Sequence, residues 1–302
     1  RIALVEKRLD DAKGLFGEVV KQDAGMARGR LYNGVTEILQ GRIEIGKKEV
    51  QEAVKLDPGN VRAHLVLGDL YLKSNAPAEA EREAVEVLRR NPSNFQAGVL
   101  YADSFLLRKD WKKAEQVYTS MIKQAPKSPV GYFKMGVSRK LQNKPADAAG
   151  YFSQAIERNP KDLAAIGEYI FAMAAAKQPD KAKKTLDEYI AKEPNNPLLW
   201  EMAGRFNIAS RKPADAESAF LKAVELAPEY TRPYYELGVM YVAQKKLPEA
   251  EAKFRNVVEK NDKDVGAHTL LGVVQNSLGK IDEANKHYRR ALELTPKNVL
   301  AA

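Results

Sequence analysis

One spacing constrains this chain more than any other feature. Prolines stand at Pro58, Pro92, Pro126, Pro160, Pro194, Pro228 and Pro296, with Asp262 where the missing member falls, and every step is 34 residues. A small residue recurs with the same step at Ala12, Gly46, Ala80, Ala114, Ala148, Ala182, Ala216, Ala250 and Ala284. Four places on comes a usually bulky one: Phe16, Val50, Ala84, Tyr118, Phe152, Leu186, Phe220, Phe254 and Tyr288. A second small slot runs through Gly34, Gly68, Ala102, Gly136, Ile170, Gly204, Gly238 and Gly272. A length of 302 residues alone suggests two globular domains. The agreement of these series replaces that expectation with an array of supersecondary units, none able to bury its apolar face alone.

Each unit has the apolar spacing of two short amphipathic helices. Tyr234-x-x-Leu237-Gly238-x-x-Tyr241 places apolar groups on one face of the first, and Ala250-x-x-x-Phe254 does so on the second. Pro77, Pro145, Pro179 and Pro213 stand where second helices begin, followed by Glu79, Asp147, Asp180 and Asp215. Proline suits a first helical position because the N–H it lacks has no intrahelical acceptor there, and the acids favour the positive end of the helix dipole. Two residues after the closing slot, Asn60, Asn94, Ser128, Asp162, Asn196, Asp264 and Asn298 offer side-chain oxygens to cap the next helix. The small slots let two helix backbones approach while a neighbouring aromatic fills the groove.

The succession of an aromatic, Leu-Gly, Tyr, Ala-x-x-x-Phe and a closing Pro resembles the tetratricopeptide repeat family, and residues 231–264 match it at every slot but the last. The resemblance implies an all-α fold, a right-handed superhelical solenoid of helix-turn-helix repeats forming a single array over residues 1–302. Complete repeats are expected at 27–60, 61–94, 95–128, 129–162, 163–196, 197–230, 231–264 and 265–298. Residues 1–26 read as the end of a preceding repeat and 299–302 as the start of another, so the chain is expected to be a stretch of a longer one. Two repeats depart from the pattern: the first carries Arg30 and Glu37 in slots that are usually aromatic. The fifth carries Ile170 in a glycine slot and Ala172 to Ala176 on its first helix. Altered packing is expected near the fifth.

The chain holds no cysteine, which excludes disulfides, thiolate metal sites and a cysteine nucleophile while leaving the compartment open. No run approaches eighteen apolar residues, so no membrane-spanning helix is expected. Apolar residues at 44% exclude a disordered chain. His64 and His268 occupy the slot of the unit's first aromatic and are expected to pack rather than bind metal; with His287 they complete the histidines. No ligand-spaced His/carboxylate cluster, G-x-S-x-G elbow or phosphate loop occurs, and neither catalytic residues nor cofactors are assigned.

In the family the first helices line the inside of the superhelix, which takes a peptide from a partner protein. Carried over, the groove slots are Arg62, Leu65, Asp69, Lys73, Val99, Asp103, Leu106, Phe133, Lys134, Val137 and Lys140, with Phe171, Arg205, Tyr235, Val239 and Val273 in later repeats. Leu65, Val99, Phe133 and Val137 would bury a partner's side chains, and Asp69, Asp103 and Lys134 would set its register through charge-assisted hydrogen bonds. The plain structural reading is that these apolar residues only complete helix packing. Chaperone-binding members clamp a C-terminal carboxylate with Lys and Asn, then Asn, then Lys and Arg on successive first helices. No three consecutive repeats here hold that set, so a chaperone tail is not expected.

Lys and Arg number 49 against 40 Asp and Glu, and the excess gathers between Arg108 and Lys144. There Arg108, Lys109, Lys112, Lys113, Lys123, Lys127, Lys134, Arg139, Lys140 and Lys144 face only Asp110 and Glu115. An acidic partner could meet this 108–144 segment, although lysines on an outer helix are ordinarily a solvated face; nucleic acid is not expected without a reading helix or stacking platform. The leading function is a non-enzymatic protein-binding scaffold in a multiprotein assembly. The alternative is the recruiting arm of an enzyme or export machine whose catalytic or membrane domain lies elsewhere, and self-association through open array ends is a third. The Asn-Pro-x-Asn and Asp-Pro-Gly-Asn links are similar to those of bacterial arrays in envelope and exopolysaccharide-export systems, which suggests the periplasm ahead of the cytoplasm.

Overall fold

A computed structural model describes residues 9–23 and 25–294, and every regular element among them is an α-helix. Pro296, Asn298 and residues 299–302 lie outside the described residues. The chain divides into two compact units, residues 1–160 and 161–302. The first holds α1 (Leu9–Gln22), α2 (Ala27–Leu39), α3 (Ile43–Leu56), α4 (Val61–Lys73), α5 (Pro77–Arg90), α6 (Phe95–Leu107), α7 (Trp111–Gln124), α8 (Pro129–Leu141) and α9 (Pro145–Arg158). The second holds α10 (Leu163–Ala175), α11 (Pro179–Lys192), α12 (Pro197–Ala209), α13 (Pro213–Leu226), α14 (Thr231–Ala243), α15 (Leu247–Lys260), α16 (Val265–Ser277) and α17 (Ile281–Leu294). Even-numbered helices are the first of each repeat. Within each unit a second helix packs against the first helix of its own repeat and against that of the next.

Helix boundaries follow from local chemistry. Asn60, Asn94 and Asp264 accept from the N–H of Ala63, Ala97 and Ala267, Asp162 from Ala164 and Ala165, Ser128 from Val130 and Asn196 from Leu198. Each such cap stabilises its helix by about 1 kcal/mol. Tyr230, in the corresponding slot before α14, provides no side-chain cap. Pro77, Pro145, Pro179 and Pro213 are the first residues of α5, α9, α11 and α13.

The turn inside every repeat is closed by backbone alone. The amide of Asp110 donates to Phe105 O and that of Lys109 to Leu106 O, both at 2.9 Å, the paired bonds of a Schellman motif. Gly41, Asn75, Lys109, Asn143, Lys177, Arg211, Lys245 and Gly279 occupy its left-handed position, with φ between 56° and 83°. Only two are glycine, so the other repeats carry the steric cost of a Cβ there.

The core is a ring set into a gap. A Cβ added to Gly136, Gly204, Gly238 or Gly272 would lie within 2.3–2.7 Å of a ring carbon of Phe152, Phe220, Phe254 or Tyr288 respectively. Where the pair changes, volume is redistributed. Ala84 is small, and Leu100 of the next first helix fills the space beside Gly68, 2.1 Å from where a Cβ would stand. Ile170 and Leu186 exchange the sizes of their slots and both are buried. The fifth repeat keeps a full first helix, but Ala182 and Leu186 are the buried residues of α11. In the first repeat Glu37 replaces an aromatic and is held by Arg42 and by Lys13 at 3.7 Å. The Arg42 hydrogen bond keeps its carboxyl below the ordinary range.

Two recurring polar contacts tie the helices. At the first aromatic slot, Trp200 Nε1 donates to Pro194 O at 2.7 Å and the Tyr132 hydroxyl to Pro126 O at 3.4 Å. His64 Nε2 and His268 Nε2 lie 3.1 Å from Pro58 O and Asp262 O. Histidine fits this slot because it offers an N–H where tryptophan and tyrosine do. One residue after the small slot of the second helix, Glu81 pairs with Arg108 and Glu115 with Arg139 at 2.8 Å. Glu217 accepts from the Tyr241 hydroxyl at 2.6 Å, and Glu251 from Lys280 at 2.7 Å. Each joins one repeat to the next; Lys183 holds this position in the fifth.

Phe254→Ala should lower stability in urea by about 3–5 kcal/mol, since the side chain is fully buried. A near-zero effect would show that the ring is not the packing element of that repeat. Leu186→Phe should destabilise by overpacking, by about 1–3 kcal/mol. Combined with Ile170→Gly, it should leave the double variant more than about 1 kcal/mol better than the sum of the singles. Strict additivity in the same titration would mean that the two residues do not share one space.

Candidate protein-binding groove

The first helices α4, α6 and α8 bring part of the expected set together. Leu65, Val66, Leu72, Val99, Leu100 and Val130 floor a groove of about 600 Å³, with Arg62, Asp69, Asp103, Phe95 and Gln96 also lining it. These residues share a face because Arg62, Leu65 and Asp69 follow helical spacing on α4, as Gln96, Val99 and Asp103 do on α6. Asp69 and Lys73 pair at 2.8 Å along α4, both exposed.

Asp103 is occupied by the chain itself. The Tyr118 hydroxyl donates to Oδ1 and Lys134 Nζ to Oδ2, each at 2.5 Å. Burial, with the Asp103 charge next, pushes the Tyr118 phenol well above its ordinary value, so it remains a donor. This triad spans two repeats and leaves Asp103 and Lys134 neutralising one another. Arg62 is different: its contacts are the Tyr32 hydroxyl at 3.4 Å and the Tyr32 ring at 5.2 Å. Arg28, absent from the expected set, stands in the same slot one repeat earlier and lines a neighbouring hollow with Arg62.

Other expected residues lie elsewhere. Leu106 is only 9% exposed and packs with Phe105, Met121 and Met135. Phe133 is half-buried, its ring 5.5 Å from that of Phe152, and Tyr235 lies likewise 5.7 Å from Phe254. For these three, helix packing accounts for much of the side chain. Val137 is half-buried and Lys140 exposed on α8. In the second unit Arg205 lies over the Phe171 ring at 5.0 Å, and Val239 and Val273 are 44% and 45% exposed on α14 and α16. Arg205 and Arg232 approach the buried Glu201 at 3.6 and 3.3 Å.

The basic 108–144 segment carries less free charge than its composition implies. Arg108, Lys113, Lys134 and Arg139 pair with Glu81, Asp110, Asp103 and Glu115. Arg108 and Lys113 also lie over the Phe105 ring. Among the described residues, no group of three His, Cys, Asp or Glu is placed to hold a metal ion, and no helix is long and apolar enough to cross a membrane.

His64 and the half-buried His287 are shifted in opposite senses. His64 has Glu83 Oε2 2.6 Å from Nδ1 and Pro58 O at Nε2, so the doubly protonated ring donates at both nitrogens. The Glu83 hydrogen bond raises its pKa, against the effect of burial. His287 lies 3.0 Å from His268 through the two Nδ1 atoms, and burial, then the His268 charge, lowers its pKa.

The tetratricopeptide repeat family models match residues 39–88, 65–129, 202–265 and 235–299, and a second model of that family matches 141–205. The chain belongs to this family. Among solved structures, a tetratricopeptide repeat protein from Parabacteroides merdae is similar with a TM-score of 0.58 at 16% identity, covering 83% of this chain and 99% of that one. The human IFIT1 dimer with m7Gppp-AAAA gives 0.59 at 18% identity, covering 95% and 68%. A chain of the APC/C hetero-tetramer Cut9–Hcn1 gives 0.48 at 15% identity over 98% of this chain, which spans 58% of that chain's length. For the first two, at these identities, the likeness is one of fold. No curated protein sequence matches the chain.

Stability should carry both histidine signatures. The raised His64 pKa contributes stability present below the unfolded value of about 6.5 and lost as pH rises through the folded value. His64→Tyr should therefore cost most near pH 5 and progressively less above neutrality. The lowered His287 pKa acts oppositely, so His287→Asn should relieve a loss of stability that develops as pH falls below about 6.5. Urea denaturation across pH measures both, and a pH-independent difference at either site would mean that the ring does not change its proton affinity on folding.

Proposed function

We propose that the chain is a non-enzymatic interaction scaffold that holds a segment of a partner protein along its first helices, within a multiprotein assembly. The observation that carries this reading is the groove over α4, α6 and α8, whose floor is apolar and whose volume of about 600 Å³ admits several side chains. Each Leu- or Phe-sized anchor fully buried there would contribute roughly 1.5–3 kcal/mol. The family to which the chain belongs supports protein or peptide as the ligand class. The non-enzymatic part of the reading is supported by where the buried and half-buried carboxylates are engaged. Asp103, Glu115 and Glu251 each link helices through lysine, arginine or tyrosine partners, which is a structural employment.

Capture from source-cell lysate by the immobilised chain, followed by mass spectrometry, tests the reading. Leu65→Ser/Val99→Ser, with helicity unchanged by circular dichroism, serves as the control. A protein retained through high salt by the wild type should fall at least about tenfold with the variant, the equivalent of losing one buried anchor. Retention indifferent to the variant would remove the groove as the binding surface. Material that washes off with salt and ignores the variant would point to the 108–144 segment instead.

A further inference from the structure

We infer that the partner segment carries an acidic side chain flanked on both sides by bulky apolar residues, with its carboxylate held by Arg62 and Arg28. This rests on the groove reading above and specifies the ligand's chemistry. Arg62 lines two adjacent hollows. One is the 600 Å³ groove already described. The other, of about 530 Å³, lies between α1, α2 and α4 and is floored by Phe16, Val19, Met26, Leu31 and Tyr32. Arg28 lines this second hollow with Arg62.

The charge of the face selects the ligand. Asp69 is matched by Lys73, and Asp103 by Lys134. Among the described residues no carboxylate pairs with Arg28 or Arg62, and the latter's contacts are the Tyr32 hydroxyl and ring. Both arginines lie in the first turn of their helices, and neither turn contains an acid to offset them. The positive helix end therefore adds to their field. A carboxylate answers this excess with paired, charge-assisted hydrogen bonds to a guanidinium, and an apolar side chain on either side of it finds a hollow.

RNA fits this surface less well. The Tyr32 ring is already stacked on Phe16, with centroids 5.2 Å apart at 22°, and Arg62 lies over it. The floor of the larger groove between Leu65 and Val130 is aliphatic apart from Phe95. Base recognition by stacking needs a free aromatic face, which Tyr32 does not offer.

The experiment is selection of a phage-displayed random peptide library on the full chain, with counter-selection on Leu65→Ser/Val99→Ser. The expected consensus is an Asp or Glu between bulky apolar residues. The synthetic consensus peptide should bind Arg62→Ala at least about tenfold more weakly, the loss of one charge-assisted contact. Exchanging the peptide's acid for lysine should abolish binding to the wild type and restore it to Arg28→Glu/Arg62→Glu. A groove-dependent consensus without an acid would overturn this inference and leave the proposed function standing. Absence of any groove-dependent peptide would overturn both. An oligoadenylate RNA that binds more tightly than the consensus peptide, and loses affinity in Arg62→Ala, would assign the arginines to nucleic acid and overturn the inference as well.

Discussion

The fold depends on filling the space between the two helices of each repeat, most often with an aromatic side chain of the second helix seated against a residue without bulk on the first. Between Gly136 and Phe152 there is no room for a Cβ, which would stand 2.6 Å from Cε1. The contact lies within one repeat, so each repeat closes its own wedge of core and stacking adds wedges in series. What is conserved from repeat to repeat is filled volume and not residue type. Leu100 enters from the next repeat where Ala84 leaves a gap, and Leu186 stands in the aromatic slot of the repeat where Ile170 replaces the glycine, both buried. Both solutions follow from interiors packed at solid-like density, in which neither a void nor an extra methyl is free.

Because that apolar contact is internal to a repeat, the register between repeats needs other means. Carboxylates after the small slot supply one: Glu81 reaches Arg108 at the C-cap of the following first helix, and Glu115, Glu217 and Glu251 reach a cation, hydroxyl or amide on theirs. The aromatic-slot donors supply a second by satisfying a carbonyl left over where the preceding helix has ended. Histidine at positions 64 and 268 thereby becomes intelligible as a donor on an aromatic frame. A carboxylate beside His64 favours its protonated ring, whereas His287, half-buried against the second imidazole, is disfavoured as a cation.

Legibility in the amino-acid sequence tracks how local the physics is. The period, the proline starts and six of the side-chain caps are written in residues that act within one helical turn, and all could be located from spacing. The left-handed turn position was missed because glycine marks it only at Gly41 and Gly279, while Lys109, Lys177, Arg211 and Lys245 carry no such sign. The linking carboxylates were missed because their partners differ in every repeat. In the groove, Arg62, Leu65, Asp69, Val99 and Asp103 could be named together by carrying the family's groove slots onto the repeats. The engagement of Asp103 by Tyr118 could not, since it depends on how far a ring reaches across the repeat. Arg28 had a signal that was overlooked: it stands 34 residues before Arg62.

The division of labour among slots explains where specificity can reside. Positions that set ring against gap admit few solutions, as the recurrence of Gly, Ala and aromatic residues through the chain indicates. The slot that holds Leu65 also holds Val99, Phe133, Gly167, Glu201, Tyr235 and Thr269. Such variety shows that no single side-chain size is required there, even though Glu201 and Thr269 are buried and Phe133 and Tyr235 pack on neighbouring rings. Arg28 and Arg62 break the helix-dipole preference that the second helices obey with Glu79, Asp147 and Asp180, and the fold absorbs the violation because it lies outside the core. Such a cost, carried outside the core, is consistent with the binding surface proposed above.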